Sequence, residues 1–246
     1  MEVHYHSKHS GKPRVNKEYL FEFLVIFIAI TGSFFAENLR EHFIDKHKEK
    51  EYMESMLQDL KTDTSNIGTI VLKNNEQIKG IDSMLNIMVN EPLVNNKLFY
   101  RLDLKYTSSY YGFIPVMRTI SQLMNTGGLG LVRVKPVSDG IVDYSVSVSG
   151  VVKHGELLDT RFVRSLEQKT EIIDLLSLKK PHQGLSKLKV KDYPPLLTTD
   201  KKKIHAYYFN ISILRGTISA YSDRLKTLKE QASSLIQLIQ HQYKLE

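Results

Sequence analysis

The sequence predicts an all-α protein in which one N-terminal transmembrane helix continues into an elongated antiparallel helical bundle or coiled-coil-like ectodomain. Three observations carry this. Residues 20–36 are an apolar run, two long stretches repeat apolar or small residues in alternating steps of three and four, and Pro-broken segments separate those stretches. The expected organisation is a basic leader (1–18), a span (19–37), a long helix with a heptad seam (38–91), a distal helical region with a Lys/Pro-rich connection (92–203), and a C-terminal heptad helix (204–246) returning toward the membrane.

The span reads LFEFLVIFIAITGSFFA from Leu20 to Ala36, a helix of roughly 26 Å at about 1.5 Å per residue. Glu22 lies one turn from its start, where a carboxylate reaches the headgroups at far less cost than at the bilayer centre. Tyr19 suits one interface, and Glu37, Asn38 and Arg40 close the other. An uncleaved anchor is favoured over a signal peptide, because cutting after Ala36 would put Phe34 at a position that wants a small residue, and because helical pattern continues past the run. A soluble core helix is the third reading. Lys and Arg flank the run evenly, with Lys8, Lys12, Arg14 and Lys17 before it and Arg40, Lys46, Lys48 and Lys50 after it. The leader's basic residues mostly lie near the span, so a cytoplasmic N-terminus is preferred.

The first seam runs Met53, Leu57, Leu60, Thr64, Ile67, Val71, Asn74, Ile78, Ile81, Leu85 and Met88, and Pro92 ends it. Asn74 sits where an amide fixes register or partner; a drift of the helix into solvent would explain it equally well. The second seam runs Ile211, Leu214, Ile218, Tyr221, Leu225, Leu228, Ala232, Leu235, Ile239 and Gln242, with Asp200 as its N-cap. The two have similar lengths, which points to an antiparallel pair; a parallel homodimer through the same seams stays open. Between them, FIPVMRTISQLMNTGGLGLV predicts a short helix with Pro115 in its first turn, Ile114, Met117, Ile120 and Leu123 or Met124 on one face, and Gly127 in the left-handed stop. Its glycines match no phosphate-binding loop, since they end a helix rather than begin one. Residues 137–177 follow a helical grid, although VDYSVSVSGVV alternates like a strand; the longer grid favours helix through 141–152. The stretch KKPHQGLSKLKVKDYPPLLTTDKKK is read as an exposed connection.

Three stretches carry a family likeness: NKEYLFEFLVIFIAI followed by FAENLREHF, the helical EKEYMESMLQDLKTDTSNI, and ISQLMNTGGLGLVRVKPVSDGIVDY. Together they resemble a family of uncharacterised bacterial single-span membrane proteins, a domain of unknown function. The resemblance implies an anchored helical ectodomain in the bacterial envelope and brings no catalytic residue with it. Here ENLREHF replaces the usual end of the span, and the chain has no Trp.

Chemistry is sparse. The 34 Lys and Arg against 27 Asp and Glu give +7, suited to anionic partners, though a solvated basic surface is the simpler account. The absence of Cys excludes a disulfide framework, a thiolate nucleophile and Cys-ligated zinc. His4, His6 and His9 are weak candidate metal ligands in a leader without fixed geometry. His42, Asp45 and Glu49 read as charge pairing on a juxtamembrane helix. Lys187, Lys189, Lys191, Lys201, Lys202 and Lys203 are weak candidates for anion binding. Tyr106, Tyr110, Tyr111 and Phe113 resemble the aromatic and basic mixture of single-strand nucleic-acid binders, but at a helix junction they fit a core better. No catalytic residue and no cofactor are assigned. The expected partners are the lipid bilayer and a protein, or a second copy, meeting the seams. The expected role is an interaction, scaffold or sensor-like component of the bacterial inner membrane, with the ectodomain in the periplasm. An envelope enzyme with its site in residues 92–203 is the alternative, and Asp139, Asp143, Glu156 and Asp159 are its candidate acids.

Overall fold

The computed structural model describes residues 17–90, 97–177 and 194–245, apart from the side chain of Glu18, and every regular element among them is helical. Helix α1 is Lys17–Asn90, α2 Lys97–Tyr106, α3 Arg118–Asn125, α4 Lys135–Lys169 and α5 Lys201–Tyr243, with a 3₁₀ turn at Gly128–Leu131. The chain forms two compact units, residues 1–49 and 50–246.

In the first unit, the described residues are the leading part of α1. Its most apolar 18-residue window has a mean hydropathy of 2.0, and none of that window is buried. Phe21, Phe23, Val25, Ile26, Phe27, Ile28, Phe34 and Phe35 all face outward. A core helix of a soluble protein would hide this surface, and this one does not. By length and composition, α1 carries a candidate membrane span.

The second unit is a bundle whose registers can be read from its side-chain contacts. A Cβ on Gly68 would lie 3.1 Å from Lys229 Nζ, and fourteen residues further along α1, Asp82 accepts two hydrogen bonds from Arg215, fourteen residues back along α5. Helices α1 and α5 therefore run antiparallel over this length. Along α4 and α5, the contacts of Gly140 with Leu235 and of Gln168 with Asn210 show that this pair is antiparallel too. Opposite α1, the chain from α2 to α3 runs backward: Lys105 meets Glu76, and Thr119 meets Asp59. The order is thus up, down, up, down, with the second leg broken between Tyr106 and Arg118.

The expected seams line the core, with one shift. On α5, Ile211, Leu214, Ile218, Tyr221, Leu225, Leu228, Ala232, Leu235 and Ile239 are all buried, while Gln242 is exposed. On α1 the buried stripe is wider and rotated. Met56, Asp63, Gln77, Met84 and Ile87 are buried beside Met53, Leu60, Ile67, Asn74 and Ile81, whereas Thr64, Val71, Ile78, Leu85 and Met88 are only half-buried. The reason is that α1 is wedged between α5 on one side and the broken second leg on the other, so a single 3/4 seam underestimates its inner face.

Three other expectations are refined. Residues 141–152 are helix, and Tyr144, Val148 and Val151 are buried despite the strand-like alternation. Helix α4 stops at Lys169 instead of reaching Ser177, because the Ile172 and Ile173 amides turn back onto the Lys169 carbonyl; Leu176, expected on the apolar grid, is 98% exposed. Helix α3 starts at Arg118, so Pro115 precedes it rather than sitting in its first turn, and Ile114 is 84% exposed. Two capping expectations match the structure: Asp200 accepts from the Lys202 amide at the start of α5, and Gly127 has φ +71° after α3.

Close approach at one glycine fixes how α2 meets α1. A Cβ on Gly80 would sit 2.2 Å from the Tyr106 ring, at the end of α2. Substitution Gly80→Val should lower stability by about 1–3 kcal/mol through overpacking. Gly216→Ala, in open space on α5, should raise it by roughly 1 kcal/mol through helix propensity. Thermal melts of the two variants in detergent micelles should move in opposite directions.

Candidate functional site

The break in the second leg, residues 107–117 (TSSYYGFIPVM), is where this bundle departs most from regularity. Pro115 supplies no amide, and both Pro115 and Gly112 disfavour helix, so the local sequence resists continuing α2 into α3. After bends at Thr107 and Ser108, where one Gln77 nitrogen reaches the carbonyls of both Tyr106 and Ser109, the segment runs without helix from Ser109 to Met117. The Ser109 carbonyl accepts from Gln77 Nε2 at 2.7 Å, and the Val116 amide donates to Asp63 Oδ1 at 3.0 Å. From Asp63 to Gln77, α1 rises about 21 Å, and the segment covers that distance with seven residues, roughly 3 Å each, the rise of an extended strand. We refer to it as the strap.

The inward polar groups of this connection need partners, and three helices supply them from the side. From α1, Gln77 donates to the carbonyls of Tyr106 and Ser109, closing the end of α2. Asp63 bridges the Val116 amide and the Tyr144 hydroxyl of α4, which donates at 2.7 Å. One turn earlier, Asp59 accepts from the Thr119 amide at 3.0 Å and from its hydroxyl at 2.6 Å, and pairs with Arg118 at 2.6 Å. Helix α3 has no cap of its own at Met117, so a carboxylate from another helix caps it. From α5, the Tyr221 hydroxyl accepts the Phe113 amide at 2.9 Å. From α4, Asp159 accepts from the Tyr110 hydroxyl.

A buried charge cluster secures the strap where it leaves α2. Asp103, fully buried, lies 3.0 Å from Lys169 Nζ and also accepts from the hydroxyls of Tyr207 and Thr107. Lys169 in turn donates to the Ser108 hydroxyl at 3.0 Å. Burial, with the Asp103 charge adding to it, raises the Tyr207 pKa well above its ordinary value, so the phenol stays a donor. Burial likewise raises Tyr144 and Tyr221. Their ring hydroxyls act as fixed struts rather than proton carriers at neutral pH.

The strap's outer side is open. Ser108, Ser109, Gly112 and Ile114 are exposed, and Tyr106, Tyr110 and Tyr111 half-buried. Lys73 Nζ stands 5.0 Å over the Tyr111 ring, and Lys105 Nζ 4.6 Å over that of Tyr106. A small recess of about 40 Å³ opens between them, lined by Gln77, Ser109 and Tyr111. The Gln77 Oε1 atom has no hydrogen-bond partner among the described residues.

The residues singled out in the sequence gather less. His4, His6, His9, Lys187, Lys189 and Lys191 lie outside the described residues. Lys201, Lys202 and Lys203 are exposed in the first turn of α5, where Lys203 pairs with Glu171 at 3.0 Å. Among the described residues, no three His, Asp or Glu side chains converge to hold a metal. Asp139, Asp143, Glu156 and Asp159 are strung along about 30 Å of α4, too far apart for one constellation. Asp143 lines a shallow groove of about 390 Å³ between α4 and α5, opposite Glu230. Sequence reading missed Asp59, Asp63, Gln77, Asp103 and Lys169, because a polar residue on an amphipathic helix normally marks its wet face. The one available sign was that Asp59, Asp63 and Gln77 break an otherwise apolar inner stripe. The aromatics Tyr106, Tyr110 and Phe113 do pack on the core, as expected of a junction. No family model, no curated protein and no solved structure matches this chain.

Two consequences are measurable. Removing one partner of the buried pair, in Asp103→Ala, should cost about 3–5 kcal/mol, and Asp103→Leu combined with Lys169→Met should recover most of it, as read by urea unfolding in micelles. Burial, reinforced by the Asp59 charge and opposed by the Val116 and Tyr144 bonds, raises the pKa of Asp63. The folded protein then holds this proton more tightly than the unfolded chain, whose carboxylate titrates near about 3.9. Its contribution is fully present below that value and is lost as pH rises through the folded pKa. Between pH 7 and pH 4, wild type should gain stability relative to Asp63→Asn.

Proposed function

We propose that this protein is a single-pass membrane protein of the bacterial inner membrane that works by binding another protein through its helical bundle. The observation that carries the membrane half is the apolar stretch of α1, of which nothing is buried. Each large apolar side chain left in water forgoes about 1.5–3 kcal/mol, so a run of this kind needs a bilayer around it. Continuation of α1 as helix from Lys17 to Asn90 fits an anchor that stays attached better than a leader that is cut off. The leader lies in the cytoplasm and the bundle in the periplasm, a side supported by the basic residues close before the span. The likeness to single-span envelope proteins in NKEYLFEFLVIFIAI and QLMNTGGLGLV supports the same setting.

The interaction half rests on the strap. Its buried carboxylates and phenols are costly to desolvate, and a continuous helix would have closed the bundle without them. Such a device is retained where an irregular segment must be held in one shape, which is the requirement of a recognition surface. The role is therefore a scaffold or sensor-like component and not a catalyst.

Carbonate extraction of cell membranes should leave full-length protein, with its mass unshortened, in the pellet; recovery in the supernatant or as a chain cut near Ala36 refutes the anchor. A photo-reactive residue in place of Ile114 should give a protein adduct of defined mass in intact membranes, while one in place of Glu156 should not. Equal yields from the two positions would remove the strap from the interaction.

A further inference from the structure

The strap's amides are the largest set of polar groups that the bundle arranges and does not use. Phe113 and Val116 spend theirs on Tyr221 and Asp63. The amides of Ser108, Ser109, Tyr110, Tyr111, Gly112 and Ile114 donate to nothing among the described residues, and of the carbonyls from Ser108 to Ile114 only that of Ser109 accepts a bond. Solvated loops also leave amides open, but they are not stretched at roughly 3 Å per residue and pinned at both ends by buried side chains. An extended backbone with free donors and acceptors is the template for strand addition. Its ordering entropy has already been met by the fold, so a partner need order only itself.

The surroundings specify the partner further. Ile114 is 84% exposed at one end of the strap, giving an apolar contact there. Lys73 has the Tyr111 ring beneath it and, among the described residues, no carboxylate within ion-pair distance, whereas Lys105 is already matched by Glu76. The unmatched charge is positive. We propose that the strap is a strand-acceptor site that binds an extended peptide segment carrying apolar and acidic side chains, by main-chain hydrogen bonds along residues 108–114. This deepens the interaction reading above and rests on it.

The probe is a labelled, end-capped peptide of five Val-Glu repeats, added to the full chain in detergent micelles. Anisotropy should show saturable binding, and hydrogen exchange should show the outward amides of Tyr110, Gly112 and Ile114 slowed at least tenfold at saturation, with that of Phe113, already bonded to Tyr221, little changed. A Val-Lys peptide of the same length should bind at least tenfold more weakly. Lys73→Glu should reverse that preference, and Ile114→Asp should weaken the Val-Glu peptide at least fivefold; both positions are on the surface, and unchanged circular dichroism confirms the fold. Absence of binding at 1 mM, binding without slowed strap exchange, equal affinity for the two peptides, or tighter binding of a dT oligonucleotide each overturns the proposal. The failures are separable. Adducts at position 114 in membranes without strap protection would leave the interaction standing and reject main-chain pairing, whereas absence of adducts rejects the interaction itself.

Discussion

A helix satisfies its own backbone; an extended segment lying inside a helical bundle cannot, and most of the unusual residues of this protein answer that requirement. Where the second leg opens into the strap, Gln77 takes over the carbonyls at the end of α2, Asp63 and Tyr221 take strap amides, and Asp59 takes the first amides of α3. Each of these side chains comes from a neighbouring helix, so the bundle registers and the strap's shape determine one another. A slip of α1 by one turn would move Asp63 and Gln77 together away from the groups they serve.

The same constraint explains why charge is buried here at all. Asp103 and Lys169 form a buried ion pair, and their joint replacement by apolar groups would cost little or even stabilise the fold. What the pair adds is position: it holds Ser108, Thr107 and Tyr207 around the point where helix becomes strap. Asn74 and Ser222 show the other side of this trade, being buried with side-chain atoms that no group among the described residues satisfies. The bundle gives up stability at its middle to keep a defined polar layer.

Anchor and bundle use apolar surface in opposite ways. In the bundle, Phe99, Tyr100, Leu123, Ile141, Leu158 and Leu225 are shielded by one another. In the leading part of α1, residues of the same types face outward on all sides, a pattern that makes sense only with lipid or another chain as solvent. One continuous helix, α1, contains both patterns, its leading part exposed and apolar and its later part packed in the bundle.

Much was legible from the residues alone. An apolar run long enough to span a membrane, two 3/4 seams, a capping Asp200 and a left-handed Gly127 depend on local chemistry and periodicity, which a linear chain records directly. Even the strand-like VDYSVSVSGVV yields to the longer helical period around it. What tertiary structure alone decided is which polar residues go inside. Asp59, Asp63, Gln77, Asp103 and Lys169 have the ordinary appearance of a wet helix face; the strap and α3, about 30 to 60 positions away, turn the first three inward, and Asp103 and Lys169 are buried by meeting each other and Tyr207. Ile114 went the other way, from an expected helix face to open solvent, because Pro115 delays the helix until Arg118 and Asp59 waits there to cap it. Burial of a polar group depends on the partner that meets it, and that partner is fixed by the fold rather than by sequence neighbours.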